Sequence, residues 1–261
     1  MKPLKYYLQK AYKEKWALGQ FNFSDWSQVK GIVEAAQSLK SPIILGTSEG
    51  ESKFVGLEEA VAMRNVLRKK YNLPIFLNLD HGKSFEYLKE AIDAGYDMVH
   101  FDGSKLPLEE NIQMSKQVVG YARWRNVIVE GEVGRFGTDA SRMYTEKFEI
   151  KEENLTNVKD AVEYMRKVKV DPVRNTARRL APLEGVPSNG VNAPKGPVGR
   201  AVSNGVDVLA VSVGTFHGID VSGISPNIRL DRLKELREAV KVPLVLHGGS
   251  GTPEEEVKQA V

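Results

Sequence analysis

Apolar runs of strand length recur along the chain, and several of them end in a residue able to do chemistry. Pro74-Ile75-Phe76-Leu77-Asn78-Leu79-Asp80-His81-Gly82 opens on a proline, stays apolar for a strand's length and delivers a carboxylate beside an imidazole before a glycine. The pattern returns at Asp97 to Ser104, Val127 to Glu132, Val208 to Gly218 and Pro243 to Gly251. Between these runs the apolar positions switch to helical spacing. Helices are predicted over Leu4 to Leu18, over the stretch carrying Val29, Ile32, Val33 and Ala36, over Leu57 to Lys70, over Phe85 to Ala94 with Gly95 closing it, over Leu108 to Ala122 and over Val158 to Val168. Ser24 or Asp25 can cap the second helix. Gly19 to Phe23 and Pro42 to Gly46 read as two earlier strands, the second ending at Thr47-Ser48-Glu49-Gly50.

Strands alternating with helices, with reactive side chains at the strand ends, describe a parallel (β/α)8 TIM barrel whose upper rim carries the site. A length of 261 residues fits one such domain spanning 1–261, since these barrels typically need ~250 residues. Two stretches depart from the pattern. Residues 171–206 hold Pro172, Pro182, Pro187, Pro194 and Pro197 and an echoed Ser-Asn-Gly-Val motif, so they read as a flexible Pro/Gly-rich insertion before strand 6. The last run, His247-Gly248-Gly249-Ser250-Gly251, precedes a helix start that Thr252 can cap, and the barrel is expected to be truncated before strand 8. The polar stretch Gly134 to Glu153 is too long for a routine connection and reads as a site-building loop.

Composition narrows the chemistry. With no cysteine, disulfides and thiolate ligands are excluded, which leaves His, Asp and Glu as the strong metal ligands. A net charge of +3 with scattered Lys and Arg argues against a nucleic-acid partner. No apolar run is long enough for a membrane span, and the charged opening Met1 to Tyr7 lacks a secretory pattern, so a cytoplasmic location is expected. Glycine-rich turns at His217-Gly218 and Gly248 to Gly251 allow backbone amides to approach a phosphate, the second at the start of a helix. His81, His217 and His247 each end a strand beside glycine and would converge on one rim as metal ligands, whereas His100 reads as a packed or hydrogen-bonded histidine.

Together, Asn78-Leu79-Asp80-His81-Gly82, Phe101-Asp102-Gly103-Ser104 with Leu106 to Ile112, Val129 to Gly134, Val213 to Gly218 and Leu246 to Gly251 resemble the class II, zinc-dependent ketose-bisphosphate aldolases of the fructose- and tagatose-bisphosphate type. The resemblance runs in order from about Gln20 to Gly251. It implies Zn2+ held by His81, His217 and His247, with an open position at which a ketose carbonyl is polarised. It further implies Asp80 as the proton-transfer carboxylate, pointing away from its neighbour His81 along the strand. Asp102 and Glu132 are implied as ligands of a second divalent or monovalent cation. Asn22, Ser48, Gly218, Gly248 and Ser250 match substrate and phosphate contacts. The implied reaction is reversible cleavage of a ketose 1,6-bisphosphate to dihydroxyacetone phosphate and an aldehyde phosphate. The implied partner is a sugar-phosphate substrate, and the implied assembly a homodimer or homotetramer. One departure stands out: Ala140 occupies the place of an expected glutamate, leaving Asp139 as a shorter catalytic substitute. The alternatives are a Schiff-base aldolase, for which no lysine sits at a motif strand end, and a truncated, catalytically impaired barrel that still binds zinc or sugar phosphate.

Overall fold

The computed structural model describes residues 1–134, 143–144, 151–170, 204–217, 219–220 and 227–261. The long polar stretch after Gly134, and with it Asp139 and Ala140, lies almost wholly outside these residues, as do Gly218 and most of the 171–206 insertion. Seven strands form one parallel sheet in chain order: β1 (Gln20–Asn22), β2 (Ile43–Ser48), β3 (Ile75–Gly82), β4 (Met98–Phe101), β5 (Ile128–Val133), β6 (Val208–Val211) and β7 (Leu244–Val245). A separate two-stranded parallel pairing joins Met143–Tyr144 to Ile219–Asp220. Each neighbouring pair in the large sheet is parallel, so helices supply the crossovers. The crossovers are α2 (Trp26–Ser38), α3 (Glu49–Val55) with α4 (Leu57–Tyr71), α5 (Phe85–Ala94), α6 (Leu108–Ala122), α7 (Val158–Lys167) and α8 (Leu230–Ala239), while α1 (Leu4–Glu14) precedes β1 and α9 (Glu254–Ala260) follows β7.

The two faces of the sheet carry different residues because side chains alternate. Leu45, Leu77, Val99, Val129 and Leu209 point outward into the main core with the helix residues Val33, Leu67, Leu88, Ile112, Tyr164 and Leu236. Ile44, Phe76, Met98, Ile128 and Val208 point inward, one from each of β2 to β6, and Leu4 of α1 closes this second cluster from below. Two residues further along each strand the inward positions become Gly46, Asn78, His100, Glu130 and Ala210, and two further Ser48, Asp80, Asp102, Glu132 and Ser212. The interior therefore changes from apolar to charged toward the C-terminal strand ends. An apolar floor fixes the strands and a polar layer rests on it.

Several local expectations change. Helix α1 ends at Glu14 rather than Leu18, because Lys15 turns into the left-handed region at φ 57°. The segment after β2, for which the sequence pattern predicts no helix, is helix α3, which Ser48 and Glu51 start with reciprocal side-chain to backbone bonds. Asp25, not Ser24, caps α2 by accepting from the Ser27 and Gln28 amides. Thr252 does not cap α9: Pro253 holds the cap position and the Thr252 hydroxyl is buried with no hydrogen-bond partner among the described residues. The described residues contain no helix long and apolar enough to cross a membrane.

Candidate metal centre and active site

The residue that most shapes the site is His81. In a regular strand Asp80 and His81 would face opposite sides, as expected from the sequence. The β3–β4 register instead shifts between Leu79 and Gly82, and His81 takes φ +52°. The bulge turns both side chains into the barrel. Gly82 is required next to it, since a Cβ there would lie 2.6 Å from Leu88 Cδ2 and 3.1 Å from the His100 carbonyl oxygen.

Four imidazoles gather at this point. The His81 ring lies 4.6 Å from that of His217, 4.7 Å from that of His247 and 4.6 Å from that of His100, and His217 and His247 are 5.6 Å apart. His81 Nδ1 meets Asp102 Oδ2 at 3.0 Å, and Asp102 is itself held by the Ser104 amide and hydroxyl through Oδ1. With that proton on Nδ1, the lone pair of His81 sits on Nε2, which faces His217 Nε2 at 3.0 Å. His247 follows the same design: its Nε2 meets Glu130 Oε1 at 2.7 Å, and its Nδ1 faces Asp80 Oδ1 at 4.0 Å. A carboxylate behind each of two rings, with the opposite nitrogen turned to a shared centre, is how metal-binding histidines are oriented.

Charge makes the same point. Asp80, Glu130 and Glu132 are each at most 7% exposed, and Asp80 Oδ1, Glu130 Oε2 and both Glu132 carboxylate oxygens have no hydrogen-bond partner among the described residues. Uncompensated buried carboxylates are costly, and a cation is the usual remedy. Burial pushes the Asp80 carboxyl upward, but His100, His81 and His247 outweigh it and hold it well below the usual range. Asp102 and Glu130 behave alike, with burial overcome by His81 and His100 in the first and by His100 and His247 in the second. Burial, helped by His81 and His247, lowers His217 to about 3, so this ring is neutral with a lone pair to offer. For His247 burial acts downward, yet Glu130 prevails and raises it. Three nitrogens and adjacent carboxylate oxygens suit Zn2+ chemically. Asp80, His81, His100 and His247 form one group of potential donors within 4.8 Å of one another, and His81, Asp102 and Glu132 form a second.

The other expected contacts divide. Asn22 donates to Asp80 Oδ2 at 2.9 Å and to Glu51 Oε2 at 3.3 Å, so it orients a site carboxylate. The Ser48 hydroxyl accepts from the Glu51 amide at the start of α3. Gly248 adopts φ +66° against the Phe216 backbone, where a Cβ has no room. Ser250 is exposed beyond β7, and the α9 helix that follows begins with Glu254, Glu255 and Glu256, which oppose an anion there. Asp102 engages His81 directly, so in this structure it supports the first set of donors as well as belonging to the second.

Sequence reasoning passed over Glu130 and left His100 out of the site. Glu130 was visible two positions before Glu132 on the same strand face, and that alternation was the available signal. His100, expected as a packed or hydrogen-bonded histidine, is fully buried inside the site: its Nδ1 accepts from the His81 amide at 3.2 Å and its Nε2 lies 2.9 Å from Glu132 Oε2, at ion-pair distance without hydrogen-bond alignment.

The model of the family fructose-bisphosphate aldolase class-II matches residues 2–174 and 194–261. The chain is 32% identical to the 6-phospho-5-dehydro-2-deoxy-D-gluconate aldolase of Shouchella clausii over 99% of its own length and 74% of that protein's. It is also 32% identical to a fructose-bisphosphate aldolase of Geobacillus stearothermophilus, over 99% of this chain and 76% of the relative. Among solved structures, the YdjI aldolase of Escherichia coli K12 superposes with a TM-score of 0.71 at 23% identity, covering 100% of this chain and 77% of that one. A fructose-bisphosphate aldolase from Campylobacter jejuni gives 0.67 at 19% identity over 98% and 72%. The chain belongs to the class II fructose-bisphosphate aldolase family and is an aldehyde-lyase.

Proposed function

We propose that this chain is a divalent-metal-dependent aldolase that reversibly cleaves a phosphorylated ketose, with ketose 1,6-bisphosphates of the fructose or tagatose type as the first substrates to test. The observation that carries the metal part is the pair of carboxylate-backed rings, Asp102 behind His81 and Glu130 behind His247; His217 lies 3.0 Å from His81 through Nε2 but falls outside both groups of converging donors. His81 Nε2, His217 Nε2 and His247 Nδ1 would hold Zn2+, which when bound supplies Lewis acidity to the ketone of the substrate. Glu132, with both carboxylate oxygens lacking hydrogen-bond partners among the described residues, and Asp102 would serve a second cation.

Asp80 is the base. Asn22 ties down Oδ2 and leaves Oδ1, which has no hydrogen-bond partner among the described residues, as the acceptor. In cleavage the C4 hydroxyl proton passes to Asp80, the O–H pair forms the aldehyde C=O, and the C3–C4 bonding pair delocalises onto the neighbouring ketone. In condensation Asp80 returns that proton. Asp139, proposed for proton exchange at the triose, lies outside the described residues. Close backbone packing at Gly248 suits a phosphate-facing turn. The two relatives at equal identity bear different substrate names, so overall similarity does not fix the ketose.

The test is purified protein stripped of metal and reloaded with zinc or cobalt, assayed on fructose and tagatose bisphosphates by coupled detection of triose phosphate. Turnover should require the metal and vanish in Asp80→Asn while metal binding persists. Full turnover in the stripped protein, or in Asp80→Asn, would overturn the assignment, and metal uptake without turnover on any ketose phosphate would favour the impaired-barrel reading.

A further inference from the structure

We propose that His100 is a positioning residue of the metal centre, setting the backbone of His81 through one ring nitrogen and the carboxylate of Glu132 through the other. This inference rests on the reading of His81 as a metal ligand.

His81 sits in the left-handed region at φ +52°, which non-glycine residues rarely occupy without local support. At the bulge, where the β3–β4 register shifts, its amide is accepted by the His100 ring at 3.2 Å. The imidazole of β4 thus fills the gap that the bulge opens and ties down the backbone that aims the His81 ring. His100 is 0% exposed, its ring lies tilted 4.6 Å from that of His81 and 4.8 Å from that of His247, and its Nδ1 is 3.5 Å from Asp80 Oδ1. Its position opposite Glu130 in the β4–β5 register places it centrally in the polar layer.

The direction of the amide bond separates positioning from coordination. While Nδ1 accepts the hydrogen bond of the His81 amide, the ring keeps its proton on Nε2 and has no lone pair there for a metal. That Nε2 lies 2.9 Å from Glu132 Oε2 without hydrogen-bond alignment, which leaves the Glu132 carboxylate next to the ring and open to a cation. His100 therefore belongs behind the donors, next to Asp102 and Glu130, rather than among them. It links the two donor groups, because one ring touches His81 of the first and Glu132 of the second.

Three full-length variants test this. His100→Asn keeps an oxygen acceptor near the Nδ1 position, His100→Gln fills the site but presents no acceptor there, and His100→Leu removes both contacts. Zinc affinity is read by competition with a chromophoric chelator, and site geometry by the visible absorption of the cobalt-loaded protein. Wild type and His100→Asn should agree within about threefold, while His100→Gln and His100→Leu should bind roughly 10- to 100-fold more weakly, as loss of a supporting partner does, with an altered cobalt band. If His100→Leu does not fold, the Gln variant against the Asn variant decides alone. Wild-type affinity and spectrum in the Gln or Leu variant overturn the inference, as does loss of one whole metal equivalent in all three, which would make His100 a ligand. A wild-type protein that takes up no metal overturns the metal reading itself and this inference with it.

Discussion

Replacing Glu130 by glutamine tests the metal centre without altering any proposed ligand. The substitution preserves shape and removes one charge from a 2.7 Å contact to His247 Nε2, in which Glu130 is 0% and His247 8% exposed. Two opposing effects follow. Losing the carboxylate makes His247 a weaker and less firmly oriented donor, worth roughly 10- to 100-fold in metal affinity, or about 1.4 to 2.7 kcal/mol. Burial lowers the proton affinity of His247 and Glu130 raises it above the ordinary value, so in the wild type protons compete with the metal up to a higher pH. Removing Glu130 relieves that competition. The loss in Glu130→Gln should therefore be largest in mildly alkaline buffer, where His247 is deprotonated in both proteins, and should narrow as the buffer is made acidic. Chelator competition across that range measures both the offset and its narrowing. Equal affinities in alkaline buffer, or an offset that widens on acidification, would refute the reasoning.

Gly82→Ala should destabilise the protein by about 1–3 kcal/mol, because the added Cβ meets Leu88 at 2.6 Å beside the site bulge; thermal melting shows it, and an unchanged Tm would mean that the bulge has slack. In metal-free protein His217 is held near 3 against an ordinary 6.5, so the unfolded chain binds the extra proton between those values and stability falls as pH drops through that window. His217→Gln should lose less stability than wild type over the same range, and parallel denaturation curves would contradict the neutral-ring assignment. Under the proposed metal-dependent route, which forms no lysine imine, borohydride with substrate should leave no covalent adduct; a mass increment on any lysine would bring back the Schiff-base alternative.

The order of the elements and the residue types at the strand ends were legible in the residue pattern alone. Apolar runs closed by Asp80-His81-Gly82, Asp102, Glu132, His217 and His247 announced a parallel sheet with its chemistry at one rim, and all seven expected strands pair in chain order. That much was legible because strand length and period-two alternation are local properties, written in consecutive residues. Which side chains meet is not local. Alternation assigned Asp80 and His81 to opposite faces, and the register shift at β3 brought them together. His100, read as a packed or hydrogen-bonded histidine, is both buried and hydrogen-bonded, but only the packing of β3 and β5 around it decides that an amide and a carboxylate face its two nitrogens. Glu130 gained its meaning only from His247, 117 positions away. Strand identity follows from short-range pattern, whereas the backing of each imidazole depends on register and twist between strands, which the packed barrel alone decides.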